Sequence, residues 1–325
     1  MNSFKIHGVV AINKPAGISS AGVLRFLKQI WYPNSNVENA SFDFEKYKNR
    51  TLENGLKTQK EKRVKLPWKV GHGGTLDPFA SGILVVGLGD SCKSLDRYLF
   101  GTKDYTGCVV LGYSSETNDV DGKIDNIVSS EGLTEERIKS VIPNFIGNIK
   151  QDPPLYSALK LNGKPLYAYA RSGKPIPSHE KSRMVNINKL NLDKFYNTGN
   201  GLEAVDNNIR EYIKYYKDCS FDSGIKNQSV LPKIGDPARR IFDLENLKTF
   251  QMSVECGRGT YIRVLAADIS NACGSCGLLY SLSRTRQGPF ELDKHALSIY
   301  DAHKKNLALD AIKSCTNLHN SYTNS

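Results

Sequence analysis

Val70-Gly71-His72-Gly73-Gly74-Thr75-Leu76-Asp77-Pro78-Phe79-Ala80-Ser81-Gly82 places one carboxylate in a turn crowded with glycine and closed by proline. Glycines take backbone angles closed to other residues and let another molecule approach the main chain. Pro78 biases Asp77 away from helical geometry, which predicts a loop carboxylate. The apolar run Ile83-Leu84-Val85-Val86-Gly87-Leu88-Gly89 follows directly and reads as a buried strand anchoring that loop. An acid on a loop held by a rigid sheet is a common way to build an active site. On spacing alone, a surface turn whose Asp bonds its own backbone is the simpler reading.

Working outward, Val9 to Asn13 reads as a short strand, and Ser20 as the cap of a helix with Val23, Leu24, Leu27 and Ile30 on one face. From about 32 to 69 the pattern dissolves into Asn, Glu and Lys, the composition of an inserted, mobile segment. Its basic end, Lys57 to Lys69, reads either as an RNA-contacting or nuclear-import patch or as a solvated linker. Leu95, Tyr98 and Leu99 predict a short helix stopped by Gly101, and Tyr105 to Leu111 a strand. Thr134 with Glu135 and Glu136 opens a helix through Ile138, Val141, Ile142 and Phe145. From Gln151 to Arg183 cations alternate with Tyr, Gly and Pro, a mixture that suits unstacked bases and phosphates, although short basic helices usually just face water. The stretch from about 196 to 246, with a possible amphipathic helix near 209–216, receives no role. Phe250 to Cys256 predicts a strand, and Ile262, Leu265 and Ile269 a helix after it.

Composition narrows the partners. The chain has 325 residues, 39% of them hydrophobic, which supports a real core, and a net charge of +11 with pI near 9.2, which favours polyanions. No apolar run approaches the roughly 18 residues of a membrane span, so no membrane partner is expected. The strand at Val9 leaves almost no room for a cleavable leader. Seven scattered cysteines point to a reducing compartment with free thiols. Cys273-Gly-Ser-Cys276 has no second CxxC or close His pair to complete a tetrahedral zinc site, so no metal is expected there.

The string GHGGTLDPFASG resembles the catalytic motif of the TruB-type tRNA pseudouridine synthases. Four further segments resemble that family in the same order. They are Val10 to Ser20, which is similar to its Lys-Pro motif; Lys103-Asp104-Tyr105; Pro153 to Lys160 with Gly163-Lys164 to Arg171; and the closing pair Gly259-Thr260-Tyr261-Ile262-Arg263 and Leu282 to Phe290. The resemblance implies an α/β (α+β) pseudouridine synthase fold, a mixed, mostly antiparallel sheet with flanking helices and an inserted RNA-binding thumb. It places the catalytic domain over residues 1–295, with insertions at about 32–69 and 196–246, a thumb at about 151–183 and a C-terminal tail over 296–325. About 35 residues follow Phe290, too few for the appended C-terminal RNA-binding (PUA) domain of bacterial members. The chain is therefore similar to the stand-alone eukaryotic form, expected to act as a monomer without guide RNA, in the nucleus, mitochondrion or cytoplasm.

Residue by residue, the resemblance makes Asp77 the nucleophile, Tyr105 the ring that stacks on uracil and helps remove the C5 proton, and Arg263 the cation that keeps Asp77 ionised. His72 is expected to take the place vacated by the flipped base, and Leu282 to pack on the base from the other side. Lys14 is expected to shape the pocket through backbone hydrogen bonds, and Tyr261 to contact substrate. Lys160, Lys164 and Arg171 are expected to grip phosphates. Isomerisation of uridine neither oxidises nor loses anything, so the chemistry needs neither cofactor nor metal. The implied substrate is the T arm of tRNA at uridine-55. A synthase acting on mRNA hairpins or another tRNA position, and a tRNA-binding folding chaperone, are the competing readings. Two departures stand out: Gly73 where bacterial members carry Thr, and Ser283 where Arg is common.

Overall fold

Val9–Ile12 and Ile83–Val86 are apolar on consecutive residues, so both faces of the strands they form must be covered. The computed structural model describes residues 7–31, 44, 47–48, 68–172, 182–197 and 247–324. It divides into two units, Met1–Asp104 with Ser283–Ser325, and Tyr105–Leu282. In chain order the elements begin with β1 (Gly8–Lys14), α1 (Ser20–Ile30), β2 (Val70–His72), β3 (Ser81–Leu88), α2 (Asp96–Phe100) and β4 (Lys103–Leu111). There follow β5 (Tyr113–Ser115), β6 (Ile124–Ile127), α3 (Glu135–Val141), β7 (Gly147–Gln151), β8 (Lys160–Leu161), β9 (Lys164–Pro165), α4 (Leu166–Ser172), β10 (Arg183–Tyr196) and β11 (Thr249–Cys256). The last are α5 (Ile262–Ala272), β12 (Gly277–Gln287), β13 (Phe290–Glu291), α6 (Leu292–His295), β14 (Leu297–Ser298) and α7 (Lys305–Asn324).

In the first unit β1 runs antiparallel to β3, from Gly8 opposite Leu88 to Lys14 opposite Gly82. One face, with Val10, Ile12, Leu84 and Val86, packs with Val23, Phe26, Leu27 and Ile30 of α1. The other, with Val9, Ala11, Ile83 and Val85, packs with Leu95, Tyr98, Phe290 and Cys315. β2 adds antiparallel to β3, β14 parallel to β1, and the end of β12 parallel to β3 at Ser283 opposite Ser81. In the second unit β4, β11, β10 and β7 lie in that order beside the start of β12. β10 is antiparallel to both β11 and β7. The sheets are thus mixed and mostly antiparallel, as expected, and helices accompany them.

Three readings change on contact with the structure. Ser19, not Ser20, caps α1, its hydroxyl accepting from Gly22 N at 3.0 Å. Within the segment read as mobile insertion, Phe44 and Tyr47 are buried in the α1 core. Phe44 meets Phe26 edge-on at 4.8 Å, and the Tyr47 hydroxyl donates to Gly22 O at 3.3 Å. Two aromatics one helical turn apart suffice to anchor a stretch otherwise polar, and an aromatic pair adds roughly 0.5–1.5 kcal/mol beyond its buried area. Residues 296–325, read as a tail, contain α7, which lies on β1; Val9 N donates to Thr316 Oγ1 at 3.0 Å. The remainder of the first insertion apart from Lys48, Trp68 and Lys69, together with 198–246 and its possible helix, lies outside the described residues.

Candidate active site

Asp77 is half-buried on the loop between β2 and β3, and the residues on either side of it are pinned. Ser20 Oγ accepts from Leu76 N and donates to Leu76 O, each at 2.9 Å. Pro78 O accepts from Gly17 N at 2.8 Å and from Lys14 Nζ at 3.3 Å. Lys14 is 0% exposed, and its ammonium also donates to Pro15 O at 2.9 Å and Ile18 O at 2.7 Å. A buried charge is tolerated only when its donors are taken up, and here backbone carbonyls do so. Lys14 therefore braces the loop through main-chain contacts.

The carbonyls of the preceding turn are held from β12. Arg284, only 1% exposed, donates through Nε to Ile83 O at 2.7 Å and through Nη2 to Gly74 O at 3.2 Å. Gln287 Nε2 donates to Gly73 O at 2.8 Å. Gly82 permits this approach: its φ is +104°, and a Cβ there would lie 2.4 Å from Arg284 O. His72 Nδ1 accepts from Gly74 N at 3.3 Å, which places the proton of the neutral ring on Nε2. Burial, and then the Arg284 charge, hold the His72 pKa below its usual value. His72 thus presents a neutral ring at the turn beside Asp77. Gly73, one of the two departures, is explained by packing, because a Cβ on it would fall 2.7 Å from Tyr98 Cβ.

The KDY segment divides its duties. Lys103 Nζ donates to Leu99 O at 3.0 Å and Gly101 O at 2.6 Å, capping α2. Asp104 takes both arms of Arg286, at 2.6 and 2.8 Å. Tyr105 follows, buried in β4.

In the second unit Arg263, at the start of α5 and 3% exposed, is a hub. It donates through Nη1 to Thr117 O at 2.9 Å and through Nη2 to Tyr156 O at 2.6 Å, and Nη1 lies 3.7 Å from Asp119 Oδ2. Asp119 is itself buried, accepting from Thr117 Oγ1 at 2.5 Å and Asp121 N at 3.0 Å. Tyr261 is fixed by Gln151, which accepts from its amide at 2.8 Å and donates to its carbonyl at 3.1 Å. The guanidinium of Arg183 lies over the Tyr261 ring at 4.7 Å and that of Arg263 at 5.9 Å. Leu282 is buried in β12. The thumb residues Lys160 and Lys164 stand exposed on the β8–β9 hairpin. Asn162 and Gly163 turn it with φ of 50° and 76°, the primed turn that an Asn-Gly pair favours. Arg171 lies in the last turn of α4, with its side chain outside the described residues.

The structure therefore groups Asp77, His72 and Lys14 in one unit, and Arg263, Tyr261, Tyr105, Leu282 and the thumb lysines in the other. Sequence reading missed Asp119, Arg284, Gln287 and the true role of Ser20. Arg284 and Gln287 were signalled by the closing motif, and Asp119 by the turn at Asp119-Val120-Asp121-Gly122. Cys273 and Cys276 are free thiols, and among the described residues no group of three or more His, Cys, Asp or Glu is disposed to hold a metal.

Residues 60–211 match the family model described as TruB family pseudouridylate synthase (N terminal domain). The chain is 31% identical to tRNA pseudouridine synthase 4 of Saccharomyces cerevisiae, covering 89% of this chain and 79% of that protein. It is 32% identical to pseudouridylate synthase TRUB1 of Homo sapiens, over 90% of this chain but 64% of the human protein. A crystal structure of a Cbf5-Nop10-Gar1 complex is similar at a TM-score of 0.49 and 20% identity, covering 94% of this chain and 56% of that one.

Proposed function

The chain belongs to the TruB family of pseudouridylate synthases, and on that premise we propose that it isomerises uridine to pseudouridine in tRNA, at uridine-55 of the T loop, without cofactor or guide RNA. The observation that carries the reading is the clamp on Asp77: its neighbours Leu76 and Pro78 are held by Ser20, Gly17 and Lys14 while Asp77 itself is only half-buried. Rigid backbone beneath an accessible acid is what a loop needs to present one reactive group to a bulky substrate.

In the reaction the bond from ribose C1′ to uracil N1 breaks, the base turns, and C1′ joins C5. N1 gains a proton and C5 loses one, so atoms and electrons balance within the nucleotide. Asp77 assists in one of two ways, acting at the ribose to help expel uracil or adding to C6 of the base. The target base must first leave its stack, at a cost of a few kcal/mol that a strained loop reduces. A neutral His72 suits the vacated position because its ring stacks without carrying a desolvated charge. Motif matches, rather than distances, support giving Tyr105 the C5 proton, Leu282 the second face of the base and Arg263 the charge balance. The exposed lysines of the β8–β9 hairpin supply phosphate contacts, consistent with recognition of RNA by shape and backbone.

The test is incubation of the full chain with unmodified tRNA tritiated at uracil C5, beside a T-loop U→C control. Release from the first alone supports the reading. Release from both keeps the chemistry and moves the site. Tight binding with no release from either favours a folding chaperone.

A further inference from the structure

Helix α7 meets the segment that follows β3 through one buried histidine. His319 is 6% exposed, and both of its ring nitrogens are engaged. Nδ1 lies 2.5 Å from the Tyr98 hydroxyl and Nε2 lies 3.1 Å from Ser94 Oγ. Ser94 spends its own proton on Ser91 O at 2.9 Å, so its oxygen accepts from Nε2–H. Nδ1 is then the acceptor and the Tyr98 hydroxyl the donor. Burial, aided by Arg97, lowers the His319 pKa, and burial raises that of Tyr98, so both groups are neutral.

Tyr98 carries this contact forward. Its ring is stacked on Tyr322 at 6.1 Å and tilted against Phe290 at 5.6 Å. Its carbonyl accepts from Gln287 Nε2 at 3.3 Å, the same nitrogen that donates to Gly73 O at 2.8 Å. Its Cβ fills the space that a side chain on Gly73 would need. Gly73 N donates to Val85 O, and its neighbour His72 lies on the turn leading to Asp77.

We propose that His319 is a positioning residue for the catalytic loop, acting through Tyr98 to fix Gly73 and with it His72 and Asp77. Its kinetic consequence rests on the proposed isomerase activity; its structural consequence does not. A histidine that merely filled the core would affect stability and leave the loop as it was.

The experiment compares the full chain with His319→Ala, Tyr98→Phe and the double variant, at a temperature where circular dichroism shows each folded. Amide hydrogen exchange is followed over residues 71–80, and isomerisation of a T-arm hairpin gives kcat and KM. We expect exchange in the loop to quicken several-fold in both single variants. A small misplacement of reacting groups should lower kcat by about tenfold, with KM within twofold. The double variant should be no worse than His319→Ala, because the two residues form one contact. Unchanged loop exchange overturns the proposal, as do independent, multiplying effects of the two substitutions. If wild type releases no product, the assigned activity fails while loop exchange still decides the positioning claim. If His319→Ala does not fold, Tyr98→Phe, which removes one oxygen, decides alone.

Discussion

Ser20 holds both backbone groups of Leu76, the residue immediately before Asp77, through a single hydroxyl at 2.9 Å to each. A side chain on the first turn of a helix thus replaces the sheet partners that an irregular loop cannot have. The carboxylate is aimed by main chain rather than by its own contacts alone. Ser20→Ala leaves a buried amide and a buried carbonyl without this partner, at about 1–3 kcal/mol for each group left unsatisfied. The expected outcome is a lower Tm and a reduced kcat with little change in RNA affinity. Thermal melts beside single-turnover kinetics check it, and an unaltered kcat would remove Ser20 from the loop clamp.

Arg263 donates in two directions, to Thr117 O and to Tyr156 O, while facing Asp119. Lysine keeps the charge and loses the planar fork. Arg263→Lys should therefore lower kcat by more than about tenfold, since even a misplacement near 1 Å can cost two orders of magnitude. Asp119→Asn should fall between this variant and wild type. Steady-state kinetics on a T-arm hairpin measure both, and full activity in Arg263→Lys would show that charge alone suffices.

His72 and His319 both have pKa values held below 6.5, chiefly by burial. The unfolded chain protonates these rings near the ordinary value while the native one resists. Below about pH 6.5 the unfolded state thus binds more protons, and stability falls as pH falls until the native rings also titrate. Their contribution is complete above that value. Urea titrations from pH 8 to pH 5 should show this decline, and His319→Gln should flatten part of it. An identical pH slope in wild type and variant would exclude His319 as a source.

Lys160 and Lys164 are exposed on a hairpin whose own turn is well formed. Replacing both with Ser should weaken RNA binding and reduce the slope of log affinity against log salt by roughly one to two, as expected for two lost phosphate contacts. An unchanged slope in a filter-binding series would place the RNA elsewhere.

Much of this architecture was legible because the relevant signals are local. Val9–Ile12 and Ile83–Leu88 announce buried strands by composition, and the glycine-proline punctuation around Asp77 announces the loop. Ser19 and Ser20 are chemically equal as caps, and only the tertiary position of Leu76 distinguishes them. Phe44 and Tyr47 were diluted among polar neighbours, so their shared helical face was lost in the average. Arg284 and Gln287 look like surface cation and amide in a strand until the sheet brings them under Gly73 and Gly74. The Asn162-Gly163 turn, by contrast, was readable and passed over. Asp119 reads as a turn residue, and its burial against Arg263 depends on chain segments more than a hundred residues apart.

The most direct test of the account is tritium release from C5-labelled T-arm RNA by wild type and by Asp77→Asn, with affinity measured for each. Wild type should release tritium, and the variant should release none while binding within several-fold of wild type. Measurable release by Asp77→Asn would contradict the central claim that this carboxylate performs the chemistry.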